Sequence, residues 1–354
     1  RLNVMIKKNK PEGGRWTYDT ENRERFPEEY EEDKKKNYKP RERKGNKYIE
    51  EAKRYIEKEF KKNPGEKKFY LPIDHKESER HLKKFIKERY NCFGPYQDAV
   101  NSKIPIGCHS LISPMLNIGL LTPEKVIEEL IKEGRKRKIK IASIEGIIRQ
   151  IIGWREYVRM YYIYERKTLE KKNELKHKKK LKKYWYELER GTDIEIIDDM
   201  IEKTKKYGYL HHIERLMYIG NYMLITKTEP KEVFKWFMIS FVDSYNWVMY
   251  ANVYGMSQYS AGKIMMTRPY FSSSNYITKM SDYKKNEGVI KLDKEYKWSK
   301  VWDSLYYNFI NDNIKEFKKN YAISMQVRHW EKKKEEEKKE IKKIARTYIR
   351  KYLI

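Results

Sequence analysis

Apolar residues recur at helical spacing through most of this chain, and that periodicity limits its fold more than any other feature. Between Lys47 and Lys61 they fall three or four positions apart, at Ile49, Ala52, Tyr55, Ile56 and Phe60. The stretches 78–90 and 143–164 show the same spacing. No stretch alternates with strand period over a useful length, so the predicted fold class is all-α.

The ends of the chain differ from its centre. Residues 1–45 are polar and rich in turn-forming glycine and proline, which predicts an extended basic arm or linker. Residues 46–330 are predicted to form one helical domain, within which Thr122 and Pro123 indicate a helix start. Residues 331–354 predict a C-terminal amphipathic helix, whose apolar face carries Ile341, Ile344, Tyr348 and Tyr352.

The charge of the chain suggests a polyanionic partner. Lys and Arg number 80 against 52 Asp and Glu, a formal net charge of +28. Biased genome composition, which would spread lysine over every solvated face, explains the same excess. The Lys-rich stretch 167–183 likewise predicts either a solvated charged insert or a phosphate-binding element.

Cysteine count and hydropathy indicate the class of protein. Cys92 and Cys108 are the only cysteines, too few for a disulfide framework or a four-cysteine metal site. A reducing compartment is therefore expected. The sequence has no apolar run of membrane-spanning length, and the segment RLNVMIKKNK lacks a signal-peptide core. We expect a soluble, intracellular protein without a membrane partner.

Common enzyme motifs are absent, since the chain has no phosphate-binding Gly-Lys-Ser/Thr loop, zinc-binding His-Glu-x-x-His pair or nucleophile elbow. The best local candidate is His211-His212, followed by Arg215 in an otherwise apolar stretch. Adjacent histidines on a helix point apart and ligate one metal poorly. A hydrogen-bonded structural pair and a general acid both remain open.

Seven sequence blocks resemble those of one family in order and spacing. They are WTYDTENR, FGPYQDAV, HSLISPMLNIGLLTP, IIRQIIGWREYVR, GYLHHIERLMYIGN, YGMSQYSAG and RPYFSSSNYITKMSDY. Together they resemble the bacterial cryptochrome and (6-4) photolyase branch that normally carries an iron–sulfur cluster. The resemblance implies a helical domain that binds FAD below a basic cavity, into which a flipped ultraviolet lesion of double-stranded DNA enters.

The same resemblance assigns cofactor residues. Ser110 and Ser113 occupy positions similar to the flavin-diphosphate ligands, although helix capping would also explain small hydroxyls there. Arg215 and Asp243 match a charged pair that lies beside the flavin. A buried guanidinium requires such a carboxylate, so an ion pair is predicted.

Lesion and electron-transfer residues follow from the resemblance as well. His211 and His212 match histidines that face the lesion in (6-4) enzymes, where they would be catalytic proton donors. Tyr270 and Trp154 match aromatic residues of the lesion pocket, and both could equally be core residues. Trp236 matches a tryptophan of the electron-transfer chain. The region around Trp185 is shifted relative to the family pattern, which leaves the other links of that chain open.

The chain departs from the family at its metal site. The positions of the four cluster cysteines hold Ile196, Lys284, Glu287 and Lys300. Iron–sulfur ligation requires thiolates, so no iron–sulfur cluster is expected. Aromatic packing is expected to replace the lost cross-link, through Trp298, Trp302, Tyr306 and Tyr307.

Two further departures concern the flavin and the antenna. Met249 stands where relatives commonly have a glutamate close to the flavin ring, and a thioether cannot exchange a proton with it. The chain starts where the N-terminal α/β antenna domain of the family would have ended. That domain is therefore expected to be missing, or to be supplied by a separate polypeptide.

Three functions fit these observations. The first is a DNA photolyase, a lyase that reverses (6-4) pyrimidine photoproducts by electron transfer from reduced FAD. The second is a cryptochrome-like light sensor that keeps the flavin but signals through a partner. The third is a degenerate DNA-binding or structural protein that has lost repair activity. Joint retention of both histidines, Tyr270 and the Trp154 block favours the first.

Overall fold

The structure is a computed structural model that describes residues 6–7, 9–28 and 40–353. Its helices are α1 (Lys47–Glu59), α2 (His75–Glu88), α3 (Tyr90–Phe93), α4 (Ser113–Asn117), α5 (Pro123–Lys136), α6 (Ile141–Arg149), α7 (Arg155–Lys171), α8 (Lys183–Glu187), α9 (Glu195–Tyr207), α10 (Asn221–Ile225), α11 (Pro230–Ser240), α12 (Asn246–Met249), α13 (Ser274–Met280), α14 (Trp298–Asp312), α15 (Ile314–Phe317), α16 (Ser324–Glu331) and α17 (Glu335–Tyr352). The predicted helical class is confirmed.

Strands occur in the described residues as two small antiparallel hairpins, which the sequence analysis did not predict. The strands are β1 (Ile6–Lys7), β2 (Lys10–Pro11), β3 (Val289–Lys291) and β4 (Glu295–Lys297). In the second hairpin Ile290 is the register partner of Tyr296, and both side chains are buried. Each strand is too short to give a periodic pattern, so alternation could not reveal it.

Local hydrogen bonds explain where several helices begin. The Asp74 carboxylate accepts from the Glu77 amide at 2.7 Å and caps α2. The Thr122 hydroxyl accepts from the Lys125 amide at 3.3 Å, with Pro123 as the first residue of α5. The helix start predicted at Thr122 and Pro123 is therefore confirmed.

Within residues 40–353, three segments are π-helical: Gln150–Trp154, Glu214–Gly220 and Tyr250–Ser257. They lie inside the blocks IIRQIIGWREYVR, GYLHHIERLMYIGN and YGMSQYSAG, or overlap them. A π turn widens the helix by one residue and occurs frequently at functional sites. The three blocks therefore share a local backbone feature as well as their family pattern.

The chain divides into two units, which we call the N-terminal unit (residues 1–61 and 67–157) and the C-terminal unit (residues 62–66 and 158–354). The range 46–330, predicted as one domain, contains this division. The core of the N-terminal unit is apolar and includes Leu82, Phe85, Tyr90, Met115, Val126, Leu130 and Ile147. The described part of the predicted arm is anchored to this unit by buried Tyr18, Asn22 and Phe26.

The C-terminal unit packs around α14. Its largest buried side chains include Trp185, Tyr218, Tyr222, Trp236, Trp302, Phe309 and Tyr348. Helix α17 packs on α14 and buries Ile341, Ile344, Tyr348 and Tyr352, as the predicted amphipathic helix requires.

The two cysteines form a disulfide, Cys92 to Cys108, within the N-terminal unit. The sequence analysis excluded a disulfide framework from the number of cysteines and expected a reducing compartment, in which even this single bond is unusual. Their sequence separation of 16 residues gave no sign that α3 and the loop before α4 bring both sulfur atoms together.

The Lys-rich stretch is more ordered than a solvated insert. Helix α7 continues to Lys171, after which His177 is only 2% exposed and Lys179 forms a parallel bridge with Thr228. No helix in the described part of the chain is both long and apolar enough to cross a membrane.

Candidate functional site

His211 lies three residues before Glu214, the first residue of the π-helical segment Glu214–Gly220, and this buried glutamate fixes it. The His211 amide donates to Glu214 Oε2 at 2.9 Å, and His211 Nε2 lies 3.7 Å from Glu214 Oε1. The same carboxylate pairs with Lys203 Nζ at 2.5 Å. Sequence reasoning missed Glu214 and Lys203. A glutamate three residues after the helix start was the signal available.

His212 has different surroundings. Its side chain is open to solvent, yet surrounding protein desolvates it, and this desolvation together with the Arg215 charge lowers its pKa to about 4. The His212 ring is therefore neutral at pH 7. It can donate a proton only if a nearby anion raises its pKa.

Arg215 and Asp243 form the predicted ion pair, with 2.8 Å between Arg215 Nη2 and Asp243 Oδ1. Their side chains are 12% and 10% exposed, so solvent reaches the pair only marginally. Arg215 Nε donates to the Leu210 carbonyl at 2.6 Å, and the guanidinium lies 4.1 Å from the centre of the Phe241 ring. These contacts fix both the plane and the position of the cation.

An aromatic chain begins beside Arg215. Phe241 packs edge-on against Trp236 with 5.6 Å between ring centres, and Trp236 packs edge-on against Trp185 at 5.3 Å. Trp236 Nε1 donates to the Trp185 carbonyl at 2.8 Å. The next contact, 5.8 Å from Trp185, is Tyr184, which is half-buried. The shifted region around Trp185 thus supplies the neighbour of Trp236 that the family pattern did not reveal.

Two of the π-helical segments contact each other closely. A Cβ atom on Gly220 would lie 2.3 Å from Ser257 Oγ and 2.7 Å from the Arg215 carbonyl oxygen. Gln258 Nε2 donates to the Gly220 carbonyl at 3.1 Å. The blocks GYLHHIERLMYIGN and YGMSQYSAG therefore pack so closely at Gly220 that a side chain has no room there. Met249, at the end of α12, is buried at 4% exposure.

Tyr270 lies on a half-buried loop, which is held in place two residues further on, at Ser272. Buried Asn221 donates through Nδ2 to Ser272 Oγ at 2.9 Å, and Trp302 Nε1 donates to the Ser272 carbonyl at 3.0 Å. The structure thus explains the position of this loop, while the predicted contact of Tyr270 with a lesion stays a prediction.

Ser110, Ser113 and Trp154 belong to the N-terminal unit. The Ser110 carbonyl accepts a hydrogen bond from His81 Nε2 at 2.8 Å, and Ser113 is the first residue of α4. Trp154 ends the π-helical segment Gln150–Trp154 and packs on Tyr157 with 5.4 Å between ring centres. Their roles toward flavin and lesion stay predictions.

The positions that hold cluster cysteines in the family make other contacts here. Ile196 is buried, Lys284 pairs with Glu287 at 3.3 Å, and Lys300 pairs with Glu340 at 3.3 Å. Trp298 donates to the Lys284 carbonyl at 2.9 Å and packs edge-on against Trp302. Among the residues that the structure describes, no group of three or more His, Cys, Asp or Glu side chains is arranged to hold a metal ion.

Comparison with known proteins agrees with the sequence blocks. A family model described as deoxyribodipyrimidine photo-lyase-related protein matches residues 1–70. The (6-4) photolyase of Agrobacterium fabrum strain C58 is 30% identical over 352 residues, which cover 99% of this chain and 68% of that protein. The crystal structure of a bacterial class III photolyase from Agrobacterium tumefaciens is 21% identical. The structural match covers 58% of this chain and 42% of the photolyase chain, with a TM-score of 0.45.

Two uncharacterized proteins of Acanthamoeba polyphaga mimivirus match shorter parts of the chain. One is 43% identical over 129 residues, 36% of this chain and 94% of the viral protein. The other is 40% identical over 114 residues, 32% of this chain and 85% of the viral protein. With nearly its whole length matched to a (6-4) photolyase, the chain belongs to the cryptochrome/photolyase family.

Proposed function

We propose that this protein is a light-dependent DNA photolyase that binds FAD and reverses (6-4) pyrimidine photoproducts. One observation carries the proposal: Arg215, three residues after His212, pairs with Asp243 and lies against Phe241, the first ring of the aromatic chain. Redox, proton-transfer and charge-fixing groups thus lie next to one another in one unit. The substrate class comes from the relative in Agrobacterium fabrum, whose printed name is (6-4) photolyase.

The residues present fit a flavin. Its polar ring edge carries hydrogen-bond donors and acceptors, and Arg215 and Asp243 offer a donor and an acceptor side by side. Both side chains are about one-tenth exposed, so a ligand can reach them while bulk water is mostly excluded. Bound FAD would supply the light-driven electron to the lesion.

The charged pair and the histidines have separate proposed roles. Arg215 is fixed by Asp243, Leu210 and Phe241. It would hold a positive charge beside the bound flavin, where reduction adds negative charge. His212, open to solvent, is the residue proposed to give a proton to the lesion, once the negative charge of bound DNA or of the reduced lesion raises its pKa. His211, tied to Glu214, orients the start of the π-helical segment and through it His212.

Trp236 and Trp185 are proposed to return the flavin to its reduced form. Their rings touch, and both are buried, so water does not quench a charge that moves between them. Tyr184 is half-buried and extends this contact toward solvent. The net charge of +28 would hold DNA by its phosphates while a lesion flips out.

The test is repair of a defined lesion. Purified protein is loaded with FAD, reduced, and illuminated with an oligonucleotide that carries one (6-4) photoproduct. Restored pyrimidines, separated by chromatography, are expected in the light and not in the dark. The variant His212→Asn should bind flavin and DNA as before but repair far more slowly. A protein that takes up FAD without repairing this lesion would refute the proposed activity.

A light sensor is the second candidate, and Met249 is the observation that favours it. A buried thioether beside the flavin would give the cofactor different protonation preferences from those of relatives that have a carboxylate there. Photoreduction through Trp236 and Trp185, together with no repair of any lesion offered, would identify a sensor. Reversal of a cyclobutane dimer instead of a (6-4) product would keep repair but change the substrate.

A further inference from the structure

The N-terminal unit contains a positively charged pocket that the proposed function does not use. It encloses about 340 Å³, and we call it the basic pocket after the cationic and imidazole side chains that line it: Arg41, Arg43, Arg80, His81, Lys84 and Arg89. The chain segment before α1 supplies the first two, and α2 with the residue after it supplies the others.

The charges in the basic pocket are only partly neutralised. Glu77 lines it and pairs with Arg43, with Arg80 also 4.0 Å away. Glu88 lies 4.0 Å from Lys84 and 3.7 Å from Arg89. Among the described residues the lining holds five cations and one carboxylate, Glu77; with the neighbouring Glu88 counted as well, three positive charges remain in excess.

The pocket has a fixed, buried cation as well as exposed ones. The Arg89 side chain is only 6% exposed, and its Nε donates to the His109 carbonyl at 3.1 Å. Arg80 and Lys84 are 66% and 50% exposed. A buried guanidinium with exposed cations beside it can bind an anion that loses part of its water shell on entry.

His81 is a neutral side chain among the cations of this pocket. Its Nε2 donates to the Ser110 carbonyl at 2.8 Å, which leaves Nδ1 as the unprotonated nitrogen of the neutral ring. Burial, together with the neighbouring charges of Arg89, Lys84 and Arg43, lowers the pKa of His81 to about 4.

We propose that the basic pocket binds the phosphate group of a small phosphorylated molecule of nucleotide size. A phosphate offers several acceptor oxygens to Arg and Lys donors, and the volume lies in the range of small-ligand sites. Tyr70, Ile106 and Leu111 provide an apolar wall for a ring. Ser110 and Ser113, the predicted flavin-diphosphate ligands, are not part of the lining, although the Ser110 carbonyl accepts a hydrogen bond from the lining residue His81. The flavin content of the pocket variants therefore has to distinguish this pocket from the proposed flavin site.

A concave pocket with a buried Arg89 favours a small ligand over a nucleic-acid backbone. A terminal phosphate can enter it, whereas the phosphates of a duplex lie between neighbouring sugars and meet a protein along an extended surface. The experiment separates these two sources of phosphate.

The test titrates the full chain with pyrophosphate, ADP and adenosine by calorimetry. ADP and pyrophosphate should bind, and adenosine should bind at least about tenfold more weakly, because it has no charged acceptor. The double variant R80E/K84E should weaken ADP binding by about tenfold or more, since two charge-assisted contacts become repulsive. K83E, an exposed change on the same helix that does not line the pocket, should leave the affinity within about twofold.

Flavin content and duplex binding are measured on the same preparations. Unchanged flavin content in R80E/K84E supports a separate site, whereas joint loss of flavin and ADP binding would assign the pocket to the flavin phosphates and overturn the proposal. No binding of either phosphate probe by the wild-type protein would overturn it too. The proposal would also be overturned if R80E/K84E weakened the binding of undamaged duplex but not of ADP, while K83E weakened neither. These readings hold whether or not the protein repairs DNA.

Discussion

At the scale of single residues, the Arg215–Asp243 pair combines a stabilising contact with a proposed ligand contact. Both side chains are nearly buried, and removal of one partner leaves an uncompensated charge in the protein. Asp243→Asn keeps the size of the side chain and removes its charge, so it tests this pair directly.

We expect Asp243→Asn to lower the free energy of unfolding by about 3 kcal/mol and to reduce the flavin retained during purification. Urea denaturation and the flavin-to-protein absorbance ratio measure the two effects. Glu340→Gln is the matched control, because it breaks an ion pair to Lys300 whose side chains are 43% and 44% exposed. Its effect should stay below about 1 kcal/mol. Equal losses in both variants would contradict the assignment.

A second residue, His177, makes stability depend on pH. It is 2% exposed, and neither ring nitrogen has a hydrogen-bond partner among the described residues. Burial, with Lys227 and Lys179 nearby, lowers its pKa from 6.5 to about 3. Between these two pKa values the unfolded chain binds a proton that the folded chain does not. The contribution of His177 to the free energy of unfolding is therefore fully present above pH 6.5, and it is lost as the pH falls toward 3.

For this reason the share of His177 in the free energy of unfolding should fall by about 2 kcal/mol from pH 7 to pH 5. His177→Leu should remove that share, so that the variant loses less stability over this range than the wild-type protein. Denaturation at both pH values measures it. His329→Leu, at an exposed histidine, should follow the wild type. A wild-type-like pH slope in the His177 variant would contradict the role of burial.

At the scale of elements, the π-helical segments Glu214–Gly220 and Tyr250–Ser257 depend on a close approach at Gly220. A side chain there would collide with Ser257 and with the Arg215 backbone. Gly153, in the segment Gln150–Trp154, has its nearest neighbour, Arg149 Cγ, 3.9 Å from the position of an added Cβ. The two glycines form a natural comparison.

Gly220→Ala should lower the free energy of unfolding by about 1–3 kcal/mol, because the segment Tyr250–Ser257 must shift. Gly153→Ala should be neutral or stabilising by up to about 1 kcal/mol, since alanine favours the helix more than glycine does. Thermal or urea unfolding compares them. A Gly220→Ala protein as stable as wild type would mean that the segments adapt without cost.

The contact between α8 and α11 is the second prediction at this scale. Trp185→Phe should slow light-driven flavin reduction strongly, because it removes the indole that touches Trp236. Bleaching of flavin absorbance under illumination with an external reductant measures this. Trp330→Phe changes a buried tryptophan that stacks on Tyr307, and it should reduce flavin at the wild-type rate. Equal rates in all three proteins would exclude the proposed chain.

At the scale of the whole molecule, the net charge of +28 is the dominant property. If it serves DNA binding through six or more phosphate contacts, affinity for undamaged duplex should fall by roughly 1,000-fold or more between about 50 and 200 mM salt. Fluorescence anisotropy of a labelled duplex measures this. A weak salt dependence would mean that composition bias spread lysine without making a binding surface.

The sequence by itself determined the helical class, the helix at Lys47–Glu59, the start of α5 and the amphipathic α17, because periodicity and capping are local properties. It also determined the family, since blocks of residues keep their order. The Arg215–Asp243 pair was predictable through the family resemblance, and a buried cation needs such a partner.

The tertiary structure decided what depends on residues that are distant in sequence. It brought Trp185 to Trp236, Lys203 to Glu214, Cys92 to Cys108, and Arg43 to the cations of α2. No periodicity encodes such contacts, because they arise where helices pack and loops close. The sequence therefore specifies the elements and the family, whereas packing determines which side chains share a site and what charge each of them carries there.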